Sequence, residues 1–219
     1  MKKIIGCYAI GHNYIVEANR LRRSLSLLGL TGDFFYHEVG MPWSVATHHR
    51  PIYLQSLRRR FPRHLILSLD ADCVVHSDPW LVLEKKVAAS GCDVAFHTFV
   101  RPGRPAERLP GTLLLNPTPT TDVFLDKWDW RNKQVPNNFD RFNFNWAINN
   151  VPGIKSAELP AEFCWIFDLS ERAYGVKQPV IEHLQASREN KRPLSKNNAA
   201  RKMRLQEIEQ LLHKKEGEI

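Results

Sequence analysis

The chain lacks most of what would tie it to a membrane, an oxidising compartment or a structural metal. No stretch of its 219 residues approaches the roughly 20 consecutive apolar residues of a membrane-spanning helix. The opening MKKIIGCYAIGHN is charged like a secretory leader, but Gly and His break its apolar run and no cleavage site follows. It reads as a first strand. Cysteines number four, Cys7, Cys73, Cys92 and Cys164, with no CxxC spacing and each inside an apolar stretch. That excludes a zinc ribbon or a disulfide frame and fits reduced, buried thiols of a cytoplasmic protein. No internal repeat is visible. Acidic residues are the scarcer charge: 23 Asp and Glu stand against 31 Lys and Arg, for a net charge of +8. The excess favours an anionic partner such as nucleic acid, phosphates or an acidic membrane surface, although a solvated basic surface explains it equally well.

What is present is an alternation. KIIGCYAIG, DFFYHEVG, HLILSLDADC, DVAFHTF and TLLLN read as strands. Residues 14–29 read as a helix with an apolar face at Ile15, Ala18, Leu21, Leu25 and Leu28. Residues 50–62 read as another, with its stripe at Ile52, Leu54 and Leu57. Residues 78–91 and 120–133 are also helical, 100–111 form a Pro- and Arg-rich loop over the sheet edge, and 136–153 are a loop leading into a helix. Strand–helix alternation predicts an α/β domain over residues 1–192, built on a mostly parallel sheet whose ligands gather at the carboxyl ends of the strands. Residues 193–219 form a basic tail with a terminal amphipathic helix marked by Met203, Leu205, Ile208, Leu211 and Leu212.

The chemistry concentrates at LILSLDADCVV. An apolar strand runs straight into Asp70 and Asp72, which an extended chain points to the same side. Two such anions repel unless a cation lies between them or one is a nucleophile and the other its acid–base partner. An EF-hand loop is excluded, because Val74 stands at the third ligand position and Val75 at the required glycine. The stretch also matches the Asp-x-Asp-x-[Thr/Val] motif of haloacid-dehalogenase-type phosphatases, in which Asp70 would attack phosphorus and Asp72 protonate the leaving group. Against this, a βαβα unit precedes the motif, and no convincing later Lys and acid pair follows.

The same stretch resembles the Asp-x-Asp region of GT-A nucleotide-sugar glycosyltransferases, and the neighbouring segments resemble that family in order and spacing from about residue 3 to 192. The resemblance implies a GT-A (Rossmann-like) fold, a UDP-sugar donor, and Mn²⁺ or Mg²⁺ held by Asp70, Asp72 and His183. It places Tyr8, Ala9 and Ile10 at the base and ribose, with Asp70 also touching ribose. Arg50, Ser187 and Arg188 would reach the diphosphate. Asn116 would end the strand framing the donor sugar, and Asp140 would be an acceptor-side base, or simply a helix N-cap. His183 could equally be a satisfied core histidine, and Trp128, Trp130, Trp146 and Trp165 could stack on sugar or base or be core.

For the acceptor, the basic clusters point to double-stranded DNA carrying 5-hydroxymethylpyrimidines, as modified by phage-type enzymes in the cytoplasm of a bacterial host. Arg58, Arg59, Arg60, Arg101, Arg104, Lys191 and Arg192 would track the phosphates if they share the face of the site. Lipopolysaccharide or capsular glycan is the alternative acceptor. A nucleic-acid-binding protein without catalysis is the alternative class.

Overall fold

The computed structural model describes residues 1–101, 103–175, 178–187 and 196–218. Its centre is a six-stranded sheet made of β1 (Lys2–Ile10), β2 (Gly32–His37), β3 (His64–Leu69), β5 (Val94–Phe99), β6 (Glu107–Leu115) and β7 (Ser156–Glu158), in the order β2-β1-β3-β6-β5-β7. β1 is parallel to β2 and β3, and β5 to β7, whereas β6 is antiparallel to both its neighbours. A second sheet of three short strands, β4 (Cys73–Val75), β8 (Trp165–Ile166) and β9 (Ile181–His183), has β9 at its middle.

Strand alternation divides the core in two. One face of the main sheet presents Ile5, Cys7, Ala9, Leu65, Leu67 and Leu69 to α1 (His12–Ser26) and α3 (Trp80–Ser90). The other presents Ile66, Val94, Phe96, Leu113 and Leu115 to α2 (Trp43–Arg60), α4 (Pro119–Gln134) and α5 (Asp140–Asn150). Helices on both faces explain why these strands are continuously apolar rather than alternating. Gly6 lets α2 approach β1, since a Cβ there would lie 2.4 Å from Leu57 Cδ1. All four cysteines are free and buried.

Several boundaries move. Residues 64–73 are two strands in two sheets: the chain leaves β3 at Asp70 and enters β4 at Cys73. α2 starts at Trp43, well before residue 50, and its Ile52 is exposed, because Pro51, Leu54 and Leu57 take the buried face. The expected edge loop ends early, with β6 beginning at Glu107 in the interior of the sheet. One step on β5, from Phe96 to His97, spans Leu113 to Leu109 on β6. This bulge pushes Gly111 toward β3. After the short α6 (Ser170–Tyr174) comes β9, and the terminal helix α7 (Lys196–Glu216) packs Ile208 and Leu212 against Val74 and Leu184. Met203, by contrast, is exposed. No helix among the described residues is long and apolar enough to cross a membrane.

Candidate functional site

The end of β3 supplies the two carboxylates. The Asp70 N–H donates to Gly111 O (2.9 Å), and the Cys73 N–H donates back to Asp70 O (3.1 Å), closing a turn. Asp70 and Asp72 therefore do not project from one extended strand. Each is held by a different group. Asp70 Oδ1 accepts from Arg50 Nη2 at 2.6 Å, and Asp72 Oδ2 accepts from the Ala186 N–H at 2.6 Å. Arg50 is buried on α2, also donates to Pro110 O (2.6 Å), and places Nε 3.8 Å from Asp140 Oδ2. Asp140 opens α5 and accepts from the Trp128 indole (2.9 Å).

These groups are short of countercharge. Burial, then the charge of Asp70, pushes the Asp72 carboxyl up to about 7. Burial pushes Asp140 up to about 6 against the lowering effect of Arg50. For His183, burial works downward, but Cys164 and Asp70 outweigh it and the ring ends above its ordinary value.

His183 is paired across the small sheet with Cys73. Its Nε2 lies 2.8 Å from Thr112 Oγ1, a partner that fixes the ring, and its Nδ1 lies 3.5 Å from Cys73 Sγ. A Cβ on Gly111 would sit 2.8 Å from both Asp70 Oδ2 and His183 Cε1, so the absence of a side chain keeps open the gap these two groups face. Among the described residues, Asp72, Cys73 and His183 offer ligand atoms that all lie within 4.8 Å of one another. Asp70 and His183 flank that opening and Asp72 joins His183 and Cys73 beside it, a donor set of the kind a divalent cation takes. Cys73 was not anticipated from the sequence; its place next to Asp72 was the available signal. Burial and both carboxylates raise its thiol well above the ordinary value, which keeps it protonated.

A two-lobed cleft opens on this turn. The first lobe, a cavity of about 180 Å³, is lined by Tyr8, Ile10, Tyr14, Asp72 and Ser187 among others. The second, about 310 Å³, is lined by Gly111, Asp140, Arg141, His183, Cys164 and Arg101 among others. Trp43, Thr47, Arg50, Asp70 and Gln185 line both, so Arg50 and Asp70 stand at the junction. Gln185 has φ +57°, an uncommon left-handed backbone for a non-glycine residue, one position before the Ala186 N–H that holds Asp72.

Three sequence assignments land elsewhere. Ala9 alternates onto the other face of β1 and packs in the core with α1. Asn116 lies at the opposite end of the sheet, donating to Cys92 O, because β6 runs antiparallel and brings its beginning, not its end, to the cleft. Arg58, Arg59 and Arg60 close α2 just before β3 begins, at the end of the sheet away from Asp70. There Arg58 pairs with Asp122 and Arg60 with Asp33. Arg101 lines the second lobe, and Arg104 is exposed on the loop beside it. Arg188, Lys191 and Arg192 lie outside the described residues. Tyr14, Trp43, Thr47, Gly111, Arg141 and Gln185 were given no role from the sequence, because distant segments bring them together.

No family model matches the chain, and no curated protein does. Solved structures do match. A glycosyltransferase involved in glycosylation of the major capsid of the virus PBCV-1 aligns with TM-score 0.62 and 15% identity, over 85% of this chain and 96% of that one. The glycosyltransferase GlyE of Streptococcus pneumoniae TIGR4 aligns with TM-score 0.56 and 16% identity, over 84% of this chain and 54% of that one. The galactosyltransferase LgtC, solved with donor and acceptor sugar analogs, aligns with TM-score 0.50 and 14% identity, over 82% and 86%. The fold is the GT-A fold of these proteins.

Proposed function

We propose that this chain transfers a sugar from a UDP-sugar to a hydroxyl of a saccharide acceptor, with Mn²⁺ or Mg²⁺ held by Asp70, Asp72 and His183. The observation that carries the reading is the junction of the cleft: two buried or half-buried carboxylates and an imidazole stand between a lobe lined by two tyrosines and a lobe containing Asp140. Tyr8 and Tyr14 offer flat surfaces to a base and ribose. The cation, when bound, supplies positive charge against the diphosphate leaving group. Arg50 fixes Asp70 by its hydrogen bond, so one carboxylate oxygen is committed to the arginine and the other faces His183. Trp128 similarly fixes Asp140, which, ionised above about pH 6, is the group in the second lobe able to take the proton of an attacking hydroxyl in an inverting transfer.

The neighbours' printed functions, capsid glycosylation and galactosyl transfer with a sugar acceptor, support a saccharide over DNA. The DNA reading required the basic clusters to share the face of the site, and Arg58, Arg59 and Arg60 sit at the other end of the sheet. A phosphatase nucleophile at Asp70 fits less well, because Oδ1 is committed to Arg50 and the motif ends the third strand.

The test is UDP release from pooled UDP-sugars with Mn²⁺, together with UDP binding by calorimetry. Asp72→Ala is expected to weaken Mn²⁺-dependent UDP binding by at least about 100-fold while the protein stays folded. Retained binding in that variant sinks the assignment, and hydrolysis of a generic phosphate ester in place of UDP release would return the case to a phosphatase.

A further inference from the structure

We propose that the acceptor carries an anionic substituent, a carboxylate or a phosphate, recognised by Arg101 and Arg141 on the outer wall of the second lobe. The identity of this ligand as an acceptor rests on the transferase reading above; the anion site itself rests on geometry.

Three elements converge there. Arg101 follows β5, Glu107 opens β6, Arg141 is the second residue of α5, and all three line the second lobe. Arg101 Nη2 donates to Glu107 Oε1 at 2.7 Å, and Arg141 Nη1 donates to the other oxygen, Oε2. Two guanidinium groups thus share one carboxylate, which leaves the trio one positive charge in excess. Each fork uses one nitrogen on Glu107, and the described residues give its remaining N–H groups no other hydrogen bond. Both side chains are about one-third exposed, at 38% and 35%.

The forks are also pre-ordered. The Arg101 guanidinium carbon lies 5.5 Å from the centroid of the Phe99 ring, and that of Arg141 lies 5.2 Å from the centroid of Phe142. A guanidinium laid on a ring keeps its N–H edge available and loses less freedom when it binds. Arg108, beside them in sequence, is bonded to the Asn149 amide rather than to an acid, and so adds to the positive field. Guanidinium groups only donate and bind an oxyanion through charge-assisted bonds, whereas a neutral sugar hydroxyl gains only a weaker bond from them. The floor of the same lobe differs: Asp140 is buried there beneath Arg50 and Trp128. A polar ring above the floor and a charged group against the wall would orient one face of the acceptor.

A solvated pair of surface arginines is the bland reading of a chain with charge +8. The shared glutamate argues against it; a ring contact alone does not, since Arg60 also lies over a ring, 5.5 Å from the Phe61 centroid. At the far end of the sheet, Arg60 is matched one-to-one by Asp33, with no excess.

The test compares methyl glucoside, methyl glucuronide and glucose 6-phosphate by saturation-transfer NMR, on protein with UDP and Mn²⁺. One or both charged sugars should bind about tenfold tighter than the neutral one, and the better of the two identifies carboxylate or phosphate as the source. Raising the salt should shrink the preference. Arg141→Gln and Arg101→Gln should each reduce it, and Glu107→Gln should increase it by removing the competing carboxylate. Equal binding of charged and neutral sugars, no binding of any, or a preference untouched in both arginine variants overturns the proposal. Binding of a 5-hydroxymethylcytosine DNA duplex without any saccharide binding overturns it in favour of a phosphate backbone. UDP titrated in the same samples separates the two ideas: a preference for charged sugars without UDP binding sinks the transferase reading and leaves the anion site standing.

Discussion

Buried carboxylates meet opposite fates in two regions of this molecule. Where α7 lies against α1 and β9, each is matched by a cation. Glu17 is bonded by Arg20 and Arg201, the partly exposed Glu209 by Arg20 and Arg23, and Glu182, fully buried, by two nitrogens of the Arg204 fork and by His76. Although burial works to raise Glu182 and Glu209, their arginines outweigh it and hold both below the ordinary value. At the cleft, Asp72 and Asp140 are buried as Glu17 and Glu182 are, yet they are pushed up to about 7 and about 6. The seam is electrostatically complete without any ligand; the cleft is not. Buried carboxylates left short of countercharge are what a cation-binding site requires, and they distinguish a site from a strut.

The largest effect that tests this contrast is one of opposite signs. Glu182→Gln strips the partner from Arg204 and His76 and should cost roughly 3 kcal/mol in urea unfolding. Asp72→Asn keeps an acceptor for the Ala186 N–H and removes an ill-compensated charge, so it should stabilise the cation-free protein at pH 8. If both variants lose stability alike, the distinction between seam and cleft collapses.

A smaller effect follows the pH. Glu182 and Glu209 have folded values below the ordinary 4.5, so their contribution is present above that pH and is lost as the pH falls through the lowered values. Asp72 runs the other way. Its folded value of about 7 lies above the ordinary 3.8, so the folded state holds the extra proton and a penalty accumulates as pH rises through that interval. Melting temperature in EDTA should therefore decline from about pH 5 to pH 8, and Mn²⁺ should restore it progressively more as the proton leaves. A melting temperature that rises over that range, or an Mn²⁺ affinity indifferent to pH, would contradict a carboxylate held protonated by burial.

Much of the seam and half of the cleft were legible in the sequence. The apolar stripe of α1 at Ala18, Leu21 and Leu25, and the burial of Ile208 and Leu212 on α7, follow from helical periodicity. Asp70 and Asp72 stood out because charges terminate a core strand. Asn116 and Ala9 were misplaced for a common reason. Their assignment depended on strand direction and facing, and neither the antiparallel course of β6 nor the face that β1 turns to α1 is written locally. Gly111 was invisible because its importance lies in a Cβ it lacks, at a bulge that only the pairing of β5, β6 and β3 creates. The triplet Arg58, Arg59, Arg60 looked like a ligand surface because sequence shows charge without its partners.

That triplet supplies the smallest effect. Arg60 is about half exposed and pairs with Asp33 on the edge strand β2, outside the lining of the cleft. An exposed pair contributes about 0–1 kcal/mol and is screened by salt. Arg60→Gln should therefore shift the unfolding midpoint barely at all. UDP and Mn²⁺ binding should be unchanged, and so should their dependence on ionic strength, because Arg60 lines neither lobe of the cleft, whose charge comes from Arg50, Asp70, Asp72, Asp140 and the Arg101–Glu107–Arg141 trio. Isothermal titration at two salt concentrations decides it. A flattened salt dependence in Arg60→Gln would mean that the two ends of the sheet act on the ligand as one basic surface. The long acceptor that such a surface implies would then displace the compact saccharide from the preferred reading.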